Sequence, residues 1–205
     1  GLLSFEFSFL GEKVITNSGY FQDYKHQLNV ISKSTATHST LVLNNTSSTR
    51  FERDKNGYML ANRSFKILNK EFKKEDKFWF IKVSHDAYSK SNGVIHERQI
   101  KYFNENFKLE GCDKLIKTKK FKSSSFEIRF HLLPEINITK LLNNETILIE
   151  SNNSGWKFTC KNHNIDIETG LYFGKKNKYL ENKNILIAGL TTSEEQNIFW
   201  EIEKI

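Results

Sequence analysis

Apolar residues recur at every second position in several stretches of the chain. In FEFSF, at 5–9, Phe5, Phe7 and Phe9 share one face and Glu6 and Ser8 the other. FEIRFHLL, at 126–133, sets Phe126, Ile128, Phe130 and Leu132 against Glu127, Arg129 and His131. GWKFTC, at 155–160, repeats the pattern with Trp156, Phe158 and Cys160, and NIFWEIEKI closes the chain with Ile198, Trp200 and Ile202 alternating against Phe199, Glu201 and Glu203. A period of two is what a half-buried antiparallel strand requires. Turn signals stand between such runs: NSG at 17–19, NG at 56–57 and 92–93, and NNSG at 152–155. Asn-Gly suits a type I′ hairpin because both residues tolerate positive φ. The strand-like runs follow one another at roughly 8 to 15 residues, and no segment carries a long 3.6-residue period. The pattern predicts an all-β chain, a large antiparallel β-sandwich of two sheets in a single domain over residues 1–205. No internal repeat is visible, which argues against a propeller.

Composition supports a packed core. Of 205 residues 38% are hydrophobic and 17 are Phe, which excludes global disorder. The net charge of +7 favours anionic partners such as nucleic acid, acidic polysaccharide or anionic lipid. The charges are dispersed, with KTKKFK at 117–122 the densest cluster, and no nucleic-acid-binding motif accompanies them, so no nucleic-acid partner is expected. Two cysteines, Cys112 and Cys160, are too few for a disulfide scaffold or a Cys-based zinc site, and their spacing leaves open whether they pair. No apolar run approaches the ~18 residues of a membrane helix, and no signal peptide is visible. The chain opens directly on the strand-like LLSFEFSFLG, from which we expect the natural protein to begin upstream.

Candidate chemistry rests mainly on histidines. There is no phosphate-cradling glycine loop, no strained serine elbow and no carboxylate pair suited to glycoside hydrolysis. His26 and His163 stand in polar, turn-like surroundings and read as surface residues. His96 and Arg98 share a strand face in GVIHERQIKYF, as do Arg129 and His131. Two such groups side by side can grip a carboxylate, and the same spacing is also that of a plain polar sheet face. His85 ends an apolar strand in KFWFIKVSHDAY, and His38 precedes the LVL run in TATHSTLVLNN. With an acidic residue these two would make an oxygen/nitrogen metal site.

The same stretches, in the same order, resemble the C-terminal β-sandwich region of the heparinase II/III-like polysaccharide lyases. LLSFEFSFLGEKVITNSG looks like the strand pair that follows the family's helical toroid. ATHSTLVLNNTSSTRF looks like its signature segment, in which a His is followed by a small polar residue, Thr and an apolar strand. VSHDAY with GVIHERQI, then FEIRFHLLP and GWKFTC, look like the later blocks, so the resemblance covers nearly the whole chain. It implies cleavage of acidic polysaccharide, a glycosaminoglycan or alginate, by β-elimination: the uronate carboxylate is neutralised, a base takes the C5 proton and the C4–O bond breaks. It implies His38 as the catalytic histidine of the cleft face, acting as carboxylate neutraliser, proton-transfer group or metal ligand. It implies a divalent metal, zinc before others, on His38, His85 and an acidic residue, with Asp54 or Asp86 as candidates. His96, Arg98, Arg129 and His131 fall in matching blocks and are taken as substrate-binding. The family's catalytic Tyr and an Asn or His come from an upstream α/α toroid that this chain lacks. The chain alone is therefore expected to hold half a cleft and to show no turnover, and the toroid is its expected partner. A location in the periplasm or cell envelope follows from where acidic polymers are degraded. The competing readings are a binding module for acidic glycans and a structural sandwich without chemistry.

Overall fold

The structure, a computed structural model, describes every residue except 63, 152, 177 and 193. Along the chain come β1 (Phe7–Phe9), β2 (Glu12–Ile15), a short helix α1 (Gln27–Lys33), a 3₁₀ turn (Thr35–Thr37) and β3 (Leu41–Leu43). Then follow β4 (Arg50–Arg53), β5 (Met59–Asn62), β6 (Ile67–Lys74), β7 (Phe78–His85), β8 (Val94–Phe103) and β9 (Lys108–Lys117). The rest is β10 (Ser125–His131), β11 (Asn137–Lys140), β12 (Thr146–Glu150), β13 (Gly155–Thr159), β14 (Ile165–Lys175), β15 (Lys178–Leu190) and β16 (Gln196–Lys204). Eight strands form one sheet in the order β11-β12-β13-β16-β9-β8-β7-β6, and four form a second in the order β14-β15-β10-β3. The strand pairs within both sheets are antiparallel, as the period of two predicted.

The predicted inward faces are the ones that pack. Phe126, Ile128, Phe130 and Leu132 are buried, and so are Trp156, Phe158 and Cys160. On β16, Ile198, Trp200 and Ile202 are buried while Phe199, one step out of phase, is 62% exposed. The two sheets meet through aromatic edges: Phe130 of the smaller sheet lies 4.7 Å from Phe158 and 4.9 Å from Trp200 of the larger one, ring to ring. Gly111 sits opposite Trp200 in the β9–β16 register, and a Cβ there would overlap the indole, so glycine is what lets the ring lie down on its neighbour strand. The N-terminal segment lays Phe5 on Trp200, ring centroids 5.5 Å apart.

Local details differ from the sequence reading. At 56–57 the β4–β5 connection has only Gly57 in the left-handed region, φ +83°, so it is not a type I′ turn. Asp54 organises it instead, its carboxylate accepting the Asn56 and Tyr58 amides at 2.9 and 2.8 Å. At 92–93 no two-residue hairpin forms, since Gly93 ends the longer connection from β7 to β8. The NNSG turn falls partly on residue 152, outside the described residues. Helix α1 went unpredicted because seven residues are too few to display a period. His26 caps it, its Nδ1 accepting the Leu28 amide at 3.1 Å. Cys112 and Cys160 are both free, and burial pushes both thiols up to about 12, which makes them inert.

Candidate active site

His38 follows the 3₁₀ turn, and the chain around it is pinned from several sides. The Thr37 hydroxyl donates to the Ser32 and Ser34 carbonyls at 3.1 and 2.9 Å, closing off the end of α1. Ser39, the next residue after His38, is held through all its polar groups. Its amide donates to Asn17 Oδ1 at 2.9 Å and its hydroxyl to the Thr16 carbonyl at 2.6 Å. Its Oγ accepts the His131 amide at 2.9 Å, and its carbonyl accepts Arg98 Nη1 at 2.6 Å. The Thr40 hydroxyl adds a bond to the Leu2 carbonyl at 2.7 Å. Fixed in this frame, His38 Nδ1–H donates to the Ser34 carbonyl at 2.8 Å. That bond sets the tautomer and leaves the Nε2 lone pair free.

His38 lines a groove of about 390 Å³ with Lys33, Thr35, Phe51, Met59 and Leu60 among its walls. Burial pushes the imidazole down to about 4. At neutral pH it is therefore uncharged. A cation in the same groove is Lys33, whose ammonium donates to the Met59 carbonyl at 3.3 Å. Sequence reading passed over Lys33 because α1 was not foreseen.

The other side of the 3₁₀ turn borders a smaller concavity of about 200 Å³, where Ala36 and Thr37 meet Arg129, His131, Glu168 and Asn184. Arg129 and His131 do lie together, as their spacing predicted. Yet the carboxylates that Arg129 grips are the protein's own, Glu127 at 2.7 Å and Glu168 at 2.8 and 3.2 Å. His131 is 2% exposed and both of its nitrogens are occupied: Nε2–H donates to the Ala36 carbonyl at 3.1 Å, and Nδ1 accepts the Ser18 hydroxyl at 3.0 Å. Substrate contact by these two is thus corrected to an internal role, bracing the strand beside the turn.

His96 and Arg98 also share a face, and again the partner is internal. Asp113, fully buried on β9, takes His96 Nε2 at 2.6 Å and Arg98 Nε at 2.8 Å on Oδ1. Its Oδ2 takes Arg98 Nη2 and Trp200 Nε1, both at 2.9 Å. Burial pushes the Asp113 carboxyl up, but the Arg98 guanidinium and the His96 ring hold it well below the usual carboxylate range. Burial in turn keeps His96 below its ordinary value, hence neutral. With His96 and Arg98 sealed at 0% and 3% exposure, the expectation that they grip a sugar fails: the grip is real and the carboxylate is Asp113. One signal of this was legible, because Asp113 is an acid on the β9 face that carries Leu109, Gly111 and Leu115.

The metal ligands named from the resemblance do not meet. His38 stands in the groove. His85 is fully buried at the end of β7, its ring 5.3 Å from that of His96, and its Nδ1 accepts the Ala87 amide at 3.2 Å. His85 Nε2 is buried without a hydrogen-bond partner among the described residues. Asp54 serves the β4–β5 turn, and Asp86 accepts the Lys66 amide at 2.6 Å. Among the described residues no three His, Cys, Asp or Glu side chains gather as a metal-binding group.

The family model described as heparinase II/III-like, C-terminal, matches residues 1–201. No curated protein sequence matches the chain. Among solved structures, the heparan sulfate lyase HepC from Pedobacter heparinus superposes with a TM-score of 0.77 at 14% identity, over 98% of this chain and 30% of that one. A heparinase III superposes with a TM-score of 0.69 at 14% identity, over 98% of this chain and 29% of the other. The chain thus spans under a third of the length of these lyases, and at such identity the superpositions speak for the fold. The family match over nearly all the chain, joined to the same two-sheet sandwich, places this protein in the heparinase II/III-like family, where it corresponds to the C-terminal domain.

Proposed function

We propose that this chain is the β-sandwich part of a polysaccharide lyase that cleaves uronate-containing acidic polysaccharide by β-elimination, with His38 as its proton-transfer residue. The observation that carries the reading is the His38 imidazole: neutral, oriented by Ser34 through Nδ1 so that Nε2 is the unprotonated nitrogen, and part of the lining of an open groove. Elimination needs a base near the acidic C5 proton, and the departing C4 oxygen then needs a proton. Nε2 is suited to take the first and, once protonated, to return it. Lys33 supplies positive charge in the same groove for the uronate carboxylate, whose neutralisation acidifies C5–H. The remaining acid–base groups are assigned to the upstream helical toroid. HepC, which acts on heparan sulfate, supports a uronate polymer as the substrate class.

The test is made in the longer protein that joins this chain to its toroid. His38→Ala is expected to lower kcat/KM on heparan sulfate on the order of 10²-fold or more, read from the ultraviolet absorbance of the unsaturated uronate product. A near-wild-type rate removes His38 from the mechanism. The 205-residue chain alone is expected to release no such product, and release by it would show that the cleft needs no second half.

A further inference from the structure

The wall of the His38 groove opposite α1 is the β4–β5 hairpin, whose two strands pair only with each other among the described residues. A lone two-stranded hairpin is marginal in water. Lys33 holds it to α1 through the Met59 carbonyl, and the Tyr58 ring stacks on Tyr24 with centroids 4.5 Å apart and planes 29° apart. Neither ring belongs to the core: Tyr24 is 38% and Tyr58 41% exposed. Tyr58 is nevertheless set in place, because its amide is tied to Asp54. The surroundings are cationic, with Lys25 Nζ 5.8 Å from the Tyr24 ring and Lys33 in the adjoining groove.

We propose that Tyr24 and Tyr58 form a stacking platform for one sugar ring of an anionic polysaccharide whose chain continues into the His38 groove. A pyranose has apolar C–H faces and polar edges. An exposed tyrosine matches it with a flat, amphipathic surface and little conformational freedom to lose. In the stack each ring braces the other and keeps its outer side for a sugar, and Lys25 beside Tyr24, with Lys33 in the groove, matches a carboxylate or sulfate on the ring edge. A hydrophobic strand or helix would not call for cations at the same place. The inference rests on the reading of the groove as a site for acidic polysaccharide.

The experiment titrates a heparan sulfate tetrasaccharide into the 205-residue chain, following side-chain tyrosine resonances and the Kd. Binding is expected to shift the Tyr24 and Tyr58 ring signals and to weaken with salt. Tyr58→Ala and Tyr24→Ala are each expected to weaken it about tenfold, the loss typical of one stacked aromatic. Tyr58→Phe, which keeps the ring, retains the affinity and guards against a loosened hairpin as the cause. Binding with unmoved tyrosine signals, or with unchanged affinity in both alanine variants, overturns the platform. Absence of binding by the wild-type chain also overturns it. The proposed function then still stands if His38→Ala slows the longer protein, and falls with the platform if it does not.

Discussion

Asp113 holds four donors on two oxygens while sealed from solvent, and the residues around it come from two other strands, His96 and Arg98 from β8 and Trp200 from β16. Through Arg98 this cluster reaches the Leu3 carbonyl at 2.9 Å and the Ser39 carbonyl at 2.6 Å, and so fixes the residue next to His38. Asp113→Asn would leave the Arg98 guanidinium buried without a counter-charge. Its expected cost is about 3–5 kcal/mol, the range for breaking a buried pair by removing one partner, measured as a shift in urea midpoint. A loss below about 1 kcal/mol, the scale of an exposed pair, would mean that the cluster is better hydrated than its burial indicates. The sequence showed His96 and Arg98 as neighbours on one face. It did not show that the face is inward, because a pair of polar residues at i and i+2 reads alike toward solvent or toward a buried acid.

Alternation on a strand is a sharper guide, since burial on one side leaves a one-residue phase to check. On β16, Ile198 is fully buried and Phe199, its neighbour, is 62% exposed. Ile198→Ala is expected to destabilise by about 2–5 kcal/mol, and Phe199→Ala to fall within about 0.5 kcal/mol of wild type although it removes the larger side chain. Chemical unfolding of the two variants checks the phase directly, and equal losses would refute the register. Turns were read less well. The left-handed positions that close β8–β9 and β11–β12 fall on Phe107 and Asn144, φ +50° and +58°, and not on an Asn-Gly pair. A Phe in that region is held there by the strands it joins, so its type carries no local signal.

Across the whole molecule, burial keeps three histidines uncharged. His85 is pushed down to about 3 and His131 to about 4, each first by burial, and His96 is lowered by the same cause. Unfolded, these rings bind protons below about pH 6.5, whereas folded His85 and His131 resist until about pH 3–4. In that window the unfolded chain binds more protons, so stability is complete above about pH 6.5 and falls as the pH drops through the window. Asp113, also lowered, acts in the same direction at more acidic pH. Melting temperatures at pH 7, 5 and 4 are expected to decline in that order. A flat profile would contradict the sealed imidazoles. The +7 charge adds self-repulsion as carboxylates are neutralised, which steepens the decline.

Strand periodicity, core faces and the adjacency of paired polar residues were settled by the sequence, because they depend on a two-residue repeat that every strand displays locally. The order of short blocks likewise sufficed to point to the lyase family. Tertiary structure decided which polar faces look inward: whether a carboxylate beside Arg98 or Arg129 is a substrate's or the protein's depends on Asp113, Glu127 and Glu168, and only strand order brings Asp113 and Glu168 to those arginines. Among the described residues it also gathered no cluster from His38, His85 and Asp54, and it stacked Tyr58 on Tyr24. Such meetings join positions far apart in the chain, and no local pattern encodes the path that brings them together.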